Sequence, residues 1–438
     1  MRHLQRIAVL LLLLVAPLAQ AQQLFTIEIT DGADDPVRIA LVPFEWTGFG
    51  ALPENVTSIV TNDLRNSGIF APLQEGNFLS QPHQQSEVFF RDWNLLGAQY
   101  LLIGRIMQSP NSDLMQVQYE LFDVNRQARM VGEVISGGQS QLRDIAHQIS
   151  DVVYEQVTGV RGAFSTKLLY ITSQTVNENL TNYQLNLADV DGARAQVLLE
   201  SQEPIMSPTW SPDARQIAYS SAESGNWAIF IQDLATGQRE QITNFPGQNA
   251  APVWSPDGTK MAMVLSMDGN PDIHVMDLRT RDLRKITTHF AVDTEPSWTP
   301  DGRALLYTSD QSGNNRPQIY RVELDSGFSE RITFEGIYNS KAKMLQDGQN
   351  MVVVHHYDTN DTYHIAIMNL ERQTISILTD TPLDESPTIA PNASMVMYSS
   401  KENGRGVLNG VSIDGKVKFQ LPVTTGDVRE PAWSPYLD

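Results

Sequence analysis

Pro208-Thr-Trp-Ser-Pro-Asp213 recurs as Pro252-Val-Trp-Ser-Pro-Asp257 and again as Pro296-Ser-Trp-Thr-Pro-Asp301. Relaxed copies stand at Ala342-Lys-Met-Leu-Gln-Asp347 and Pro387-Thr-Ile-Ala-Pro-Asn392, and Pro431-Ala-Trp-Ser-Pro-Tyr436 closes the chain. The third residue falls at 210, 254, 298, 344, 389 and 433, giving steps of 44, 44, 46, 45 and 44. A constant period of this size marks a repeated β architecture whose units bury their apolar faces on one another.

Each repeat has one grammar. Pro208–Trp210 is a short strand, Ser211-Pro-Asp-Ala a turn with Pro preset for φ, and Gln216–Ser221 a second strand. Trp227–Leu234 and Arg239–Thr243 supply two more strands, separated by Ala235-Thr-Gly237. Four antiparallel strands per repeat make one propeller blade. The first unit, Lys167–Glu200, has no Pro-x-Trp strand before it, whereas the last motif has no strands after it. The C-terminus therefore supplies the strand the first blade lacks, which predicts six blades and a ring with no open edge. The motif tryptophans are expected to pack between blades; Met344 and Ile389 keep that place apolar.

Working back to the start, Arg2 and Arg6 precede an apolar run from Ile7 to Val15 and a small-residue site at Ala19-Gln-Ala21. This pattern predicts a secretory signal over 1–21, too short to span a bilayer as a mature helix. Gln22, Gln23, Leu24, Phe25, Thr26, Ile27, Glu28, Ile29, Thr30 and Asp31 follow, with Phe25, Ile27 and Ile29 alternating against Thr26, Glu28 and Thr30. That is a strand with one apolar face, set off by Asp31-Gly-Ala-Asp-Asp-Pro36, and it reads either as an ordinary edge strand or as a segment that can leave and pair with a partner's sheet edge.

Arg38–Phe44, Phe70–Leu73, Tyr100–Met107, Met115–Asp123 and Arg129–Ile135 read as strands. Val56, Ile59, Val60 and Leu64 recur at helical spacing, with Pro53 placed for the first turn. Val88–Leu96 and Leu142–Val157 read as further helices, closed by Gly97 and Gly159. The predicted fold is an α/β N-terminal domain, residues 22–160, followed by an all-β six-bladed propeller over 161–438 closed by its C-terminal strand.

Composition narrows the function. The chain carries a net charge of −20, which disfavours nucleic acid and anionic membrane surfaces as partners. It has no cysteine, so disulfides, thiolate metal sites and thiol nucleophiles are excluded. No second apolar run reaches membrane length. No Gly-x-Ser-x-Gly elbow occurs, and His355 and His356 are strand neighbours whose side chains point to opposite faces, expected on a surface strand. The chain is read as a non-enzyme and a monomer with no cofactor; an exported propeller hydrolase or lyase and a peptide or Ca²⁺ sensor are the alternatives.

The segments just upstream of each motif cross from one blade to the next and should surround the channel mouth. They include Gln248, Asn249 and Ala251, then Asp293, Thr294 and Glu295, then Asp384 and Glu385. With Glu203, Asp427 and Glu430, the carboxylates among them should form an acidic rim, suited to a basic peptide or to Ca²⁺ held by oxygen ligands.

The signal, the α/β domain containing Ile39-Ala-Leu-Val-Pro-Phe44 and Asp63-Leu-Arg-Asn-Ser-Gly68, and the propeller ending in Pro431-Ala-Trp-Ser-Pro-Tyr-Leu437 together resemble the TolB family of the Tol–Pal system. The likeness covers essentially the whole mature chain. It implies a periplasmic, non-enzymatic protein that supports outer-membrane integrity and constriction during cell division. It also implies a propeller mouth that binds the lipoprotein Pal, with colicin-type peptides exploiting the same surface. Gln248, Ala251 and Thr294 map onto Pal-facing positions, Gln248 standing where the family often has His. Residues 22–31 map onto the segment that engages TolA.

Overall fold

The computed structural model describes residues 36–109, 113–178, 180–313, 316–357, 362–422 and 426–437. The predicted signal and the segment 22–31 lie outside these residues.

The N-terminal part is a mixed sheet of β1 (Val37–Leu41), β2 (Glu45–Trp46), β3 (Phe70–Pro72), β4 (Tyr100–Gln108), β5 (Leu114–Asp123) and β6 (Ala128–Gly138). Its order is β3-β1-β4-β5-β6, with β2 continuing alongside β4. Strand alternation sorts the sheet residues into two cores. Ile39, Leu41, Leu102 and Ile106 meet α1 (Val56–Asn66) and α3 (Leu142–Thr158) on one face. Ala40, Val42, Leu101 and Ile103 meet Trp93 of α2 (Phe90–Leu95) on the other. The helix predicted from Pro53 begins instead at Val56, because the Asn55 side chain accepts the Ser58 amide and caps the first turn. Helix α3 ends at Gly159, whose φ of 76° closes the last turn.

From Lys167 onward the chain forms six four-stranded antiparallel sheets. Five are sequential. The sixth takes its innermost strand from the C-terminus: Asp427–Trp433 pairs with Lys167–Asn177, Trp433 opposite Leu168. The fold class read from the sequence is thus observed, closure included.

The motif turns explain the period. In Ser211-Pro-Asp213 the Ser211 hydroxyl donates to Asp213 and accepts the Gln216 amide at 2.9 Å, locking the turn between the two inner strands. Ser255 with Asp257 and Thr299 with Asp301 repeat it. The motif tryptophans are buried at 6–8% exposure. Trp210 Nε1 donates to Ala432 O at 2.9 Å and Trp298 Nε1 to Val253 O at 3.1 Å, each reaching the preceding blade.

The N-terminal domain docks on the face that carries these turns. One apolar cluster runs from α1 and α3 through Phe164 into Leu168, Tyr170, Ala390, Met395 and Trp433. Asn392, in a relaxed motif copy, donates to Arg161 O at 3.0 Å, and the Arg161 guanidinium lies 4.0 Å over the Tyr436 ring. The blade-to-blade crossings consequently emerge on the opposite face.

Candidate functional site: the propeller channel

The innermost strands each carry a β-bulge at the same place, three residues before the motif's third residue. The bulged residues are Ser207, Ala251, Glu295, Lys341, Ser386 and Glu430, and all six have φ between 49° and 55°. None is glycine, so each sits in a left-handed conformation that side-chain-bearing residues rarely adopt. Strain repeated once per blade turns six side chains toward the axis, and such strain clusters at functional sites.

These residues line a continuous cavity of about 850 Å³. Glu295 accepts the Lys341 amide at 3.2 Å and the Thr308 hydroxyl at 2.9 Å. Glu430 likewise accepts the amide of Ser207, the next bulge around the ring. Lys341 Nζ donates to Ser386 Oγ at 2.8 Å and lies 3.9 Å from Glu295 and 4.0 Å from Glu385. Burial opposes its charge, but Glu295, Glu385 and Glu430 outweigh burial and raise the Lys341 pKa. Burial raises the Glu430 pKa, against the pull of Lys341.

The predicted acidic rim is corrected by this arrangement. Gln248, Ala251, Thr294 and Glu295 do line the cavity, and Glu385 is exposed beside Lys341. Asn249, Asp293 and Asp384 do not: they are 0%, 0% and 1% exposed. Asn249 and Asp293 open their innermost strands and Asp384 immediately precedes its own, and all three are buried within the blade. Asn249 bonds back to Phe245 O at 2.7 Å and Asp384 accepts from Thr379 and Thr381, so this position ties each crossing to the strand it enters. Asp293 occupies the same seat with both carboxylate oxygens buried and no well-directed hydrogen bond; burial pushes its carboxyl up to about 6. Lys341 was missed by sequence reasoning. Its signal was positional, since it stands in the ring with Ala251 and Glu295 by repeat spacing alone.

His355 and His356 are not on a surface strand, as expected from sequence; they are 2% and 5% exposed. His355 Nδ1 lies 2.8 Å from Asn339 Oδ1, the Asn249-equivalent seat of its own blade. Burial, then His356 and His364, push its pKa down to about 4.

Two other clusters invite a chemical reading. Asp63 Oδ2 lies 2.8 Å from His147 Nδ1 and accepts the Ser150 hydroxyl at 2.7 Å. The serine bonds to the acid rather than to the imidazole, and all three are buried between α1 and α3, so no nucleophile is presented. His147 also shares a 4.8 Å neighbourhood with Asp189 and Asp191 of the first blade. Lys167 Nζ already lies 2.6 Å from Asp189, and Arg143 pairs with Asp191 and Arg194 with Asp189. Those cations balance the carboxylates, and the Arg143–Asp191 pair ties α3 to the first blade.

Two families match the chain: the TolB amino-terminal domain over residues 25–130 and the TolB beta propeller domain over residues 154–437. The chain is 50% identical to the Tol-Pal system protein TolB of Pseudomonas fluorescens (strain SBW25) and to that of Pseudomonas aeruginosa, over 100% of each chain in both cases. It is also similar to the crystal structure of TolB from Acinetobacter baumannii, at 38% identity and a TM-score of 0.84, covering 92% of this chain and 98% of that one.

Proposed function

The chain belongs to the TolB family of the Tol–Pal system, and on that premise we propose that it is a non-catalytic periplasmic adaptor between the outer-membrane lipoprotein Pal and the inner-membrane protein TolA. The channel mouth, with Gln248, Ala251, Thr294 and Glu295, receives Pal. Residues 22–31 pair as a strand with TolA. Colicin-type peptides compete for the mouth. The adaptor serves outer-membrane integrity and constriction during division, acting as a monomer without a metal in the channel.

The observation that carries this reading is the ring of six strained residues around one cavity, a surface built to hold side chains in fixed directions without any assembled acid, base and nucleophile. Apolar groups surround its mouth. Phe290 is 86% exposed, and Met206, Val292 and Leu383 stand open on the same face. Lys341, seated among Glu295, Glu385 and Glu430, balances their charge and supports the reading without a metal. The test is binding of the purified chain to the periplasmic domains of Pal and TolA. Pal must bind the chain lacking residues 22–31 as well as the full chain, while TolA must lose it. Equal TolA binding by both forms, or Pal binding indifferent to an Arg at position 294, overturns the reading.

A further inference from the structure

We propose that the propeller channel holds a carboxylate group on Lys343. The ring in which Lys343 stands lies two residues further along the innermost strands than the mouth ring, roughly 7 Å deeper at the rise of a strand. Its members are Thr209, Val253, Ser297, Lys343, Thr388 and Ala432. All six line the cavity, and none is acidic.

Charge in the channel is otherwise settled. Lys341 has Glu295, Glu385 and Ser386. Glu295 and Glu430 spend oxygens on backbone amides of the neighbouring bulges. Lys343 alone among the described channel lysines and glutamates has no hydrogen bond or ion pair within reach. Burial lowers its pKa, Lys341 adds to that, and Glu295 opposes it without making contact. A lone ammonium in a partly dry cavity is costly unless a counter-charge joins it. The hydroxyls of Thr209, Ser297 and Thr388 at the same level give an oxyanion further donors. The assignment concerns the deeper ring and does not depend on which partner occupies the mouth.

The test uses ¹³C-labelled acetate with the full chain at fixed ionic strength, reading the line width of the acetate carboxyl. Saturable broadening is expected with the wild type. Lys343→Met should weaken binding at least tenfold, and Lys401→Met, exposed and outside the channel, should leave it nearly unchanged. If Lys343→Met is unfolded by circular dichroism, Lys343→Gln replaces it, and Lys343→Arg must retain binding. Displacement of acetate by a short Asp-containing peptide identifies a protein carboxylate as the natural occupant; displacement by free succinate alone identifies a small acid. No broadening with the wild type, or equal broadening with the Lys343 variants, overturns the proposal.

Discussion

The Ser434 amide donates to the Lys167 carbonyl at 2.9 Å, and the Lys167 amide returns a bond to Ser434 Oγ at 3.0 Å, across 267 residues of chain. This reciprocal pair locks the last strand beside the first, so the ring has no free edge. Trp433 reinforces the lock by donating from Nε1 to Thr166 Oγ1 at 2.7 Å, whereas Trp254 Nε1 is buried with no partner.

Substitution of those two tryptophans separates packing from hydrogen bonding. Trp433→Phe should cost about 0.5–1.5 kcal/mol more than Trp254→Phe, because only the first loses a bond. Trp433→Ala should cost about 3–5 kcal/mol by leaving a cavity at the seam. Urea unfolding followed by circular dichroism measures both. Equal losses for the two Phe variants would show that the seam bond adds nothing.

The repeat was legible because its key contact is local in sequence and periodic: a tryptophan between blades needs the same residues every 44 or so positions. What the repeat could not show was the direction of each side chain beside it. Asp293 and Glu295 are two residues apart, and a strand without a bulge would send them the same way. The bulge at Glu295 breaks that parity, so Glu295 faces the channel and Asp293 the blade interior. Pro53 failed as a helix start for a related reason, since Asn55 offers a capping oxygen and Pro53 offers only a compatible φ. The burial of His355 was hidden because its partner, Asn339, lies on a different strand.

Asp293 is buried as an acid where the neighbouring blades carry Asn249 and Asn339. Its folded pKa of about 6 lies above the ordinary 3.8. The group therefore costs nothing below pH 3.8, drains stability as pH rises toward 6, and holds that cost above it. Asp293→Asn should gain about 1–3 kcal/mol at pH 7 and almost nothing at pH 3.5. Thermal melts across that range check it; a gain that does not vary with pH would point to packing instead of charge.

Two buried histidines should give opposite pH slopes. For His355 the folded pKa of about 4 lies below the ordinary 6.5. Its contribution is whole above pH 6.5 and is lost as pH falls toward 4, by about 3 kcal/mol in all. For His147, burial lowers the pKa, but Asp63, Asp191 and Asp189 outweigh it and the net shift is upward from 6.5. Its contribution is whole below pH 6.5 and fades as pH rises through the higher folded value. His355→Gln should flatten the acid limb of the stability profile and His147→Gln the alkaline limb. Melts from pH 4 to 9 read both, and a variant that lowers stability without changing the slope would remove that histidine from the titration.

The partner surface can be separated from the fold by using the bulge itself. Ala251 and Thr294 line the channel and are partly open, whereas Asn249 is closed off within its blade. An Arg at 251 or 294 projects into the cavity, fills the mouth, and adds positive charge beside Lys341. Ala251→Arg and Thr294→Arg should each weaken Pal binding at least tenfold, about 1.4 kcal/mol or more, while shifting the melting temperature little. Asn249→Ala should do the reverse: it removes the tie to Phe245 and costs about 1–3 kcal/mol of stability, with Pal affinity preserved in the folded fraction. Titration calorimetry beside thermal melts distinguishes the two classes. If Asn249→Ala weakened Pal binding as much as Thr294→Arg did, the buried seat rather than the channel ring would be what the partner reads.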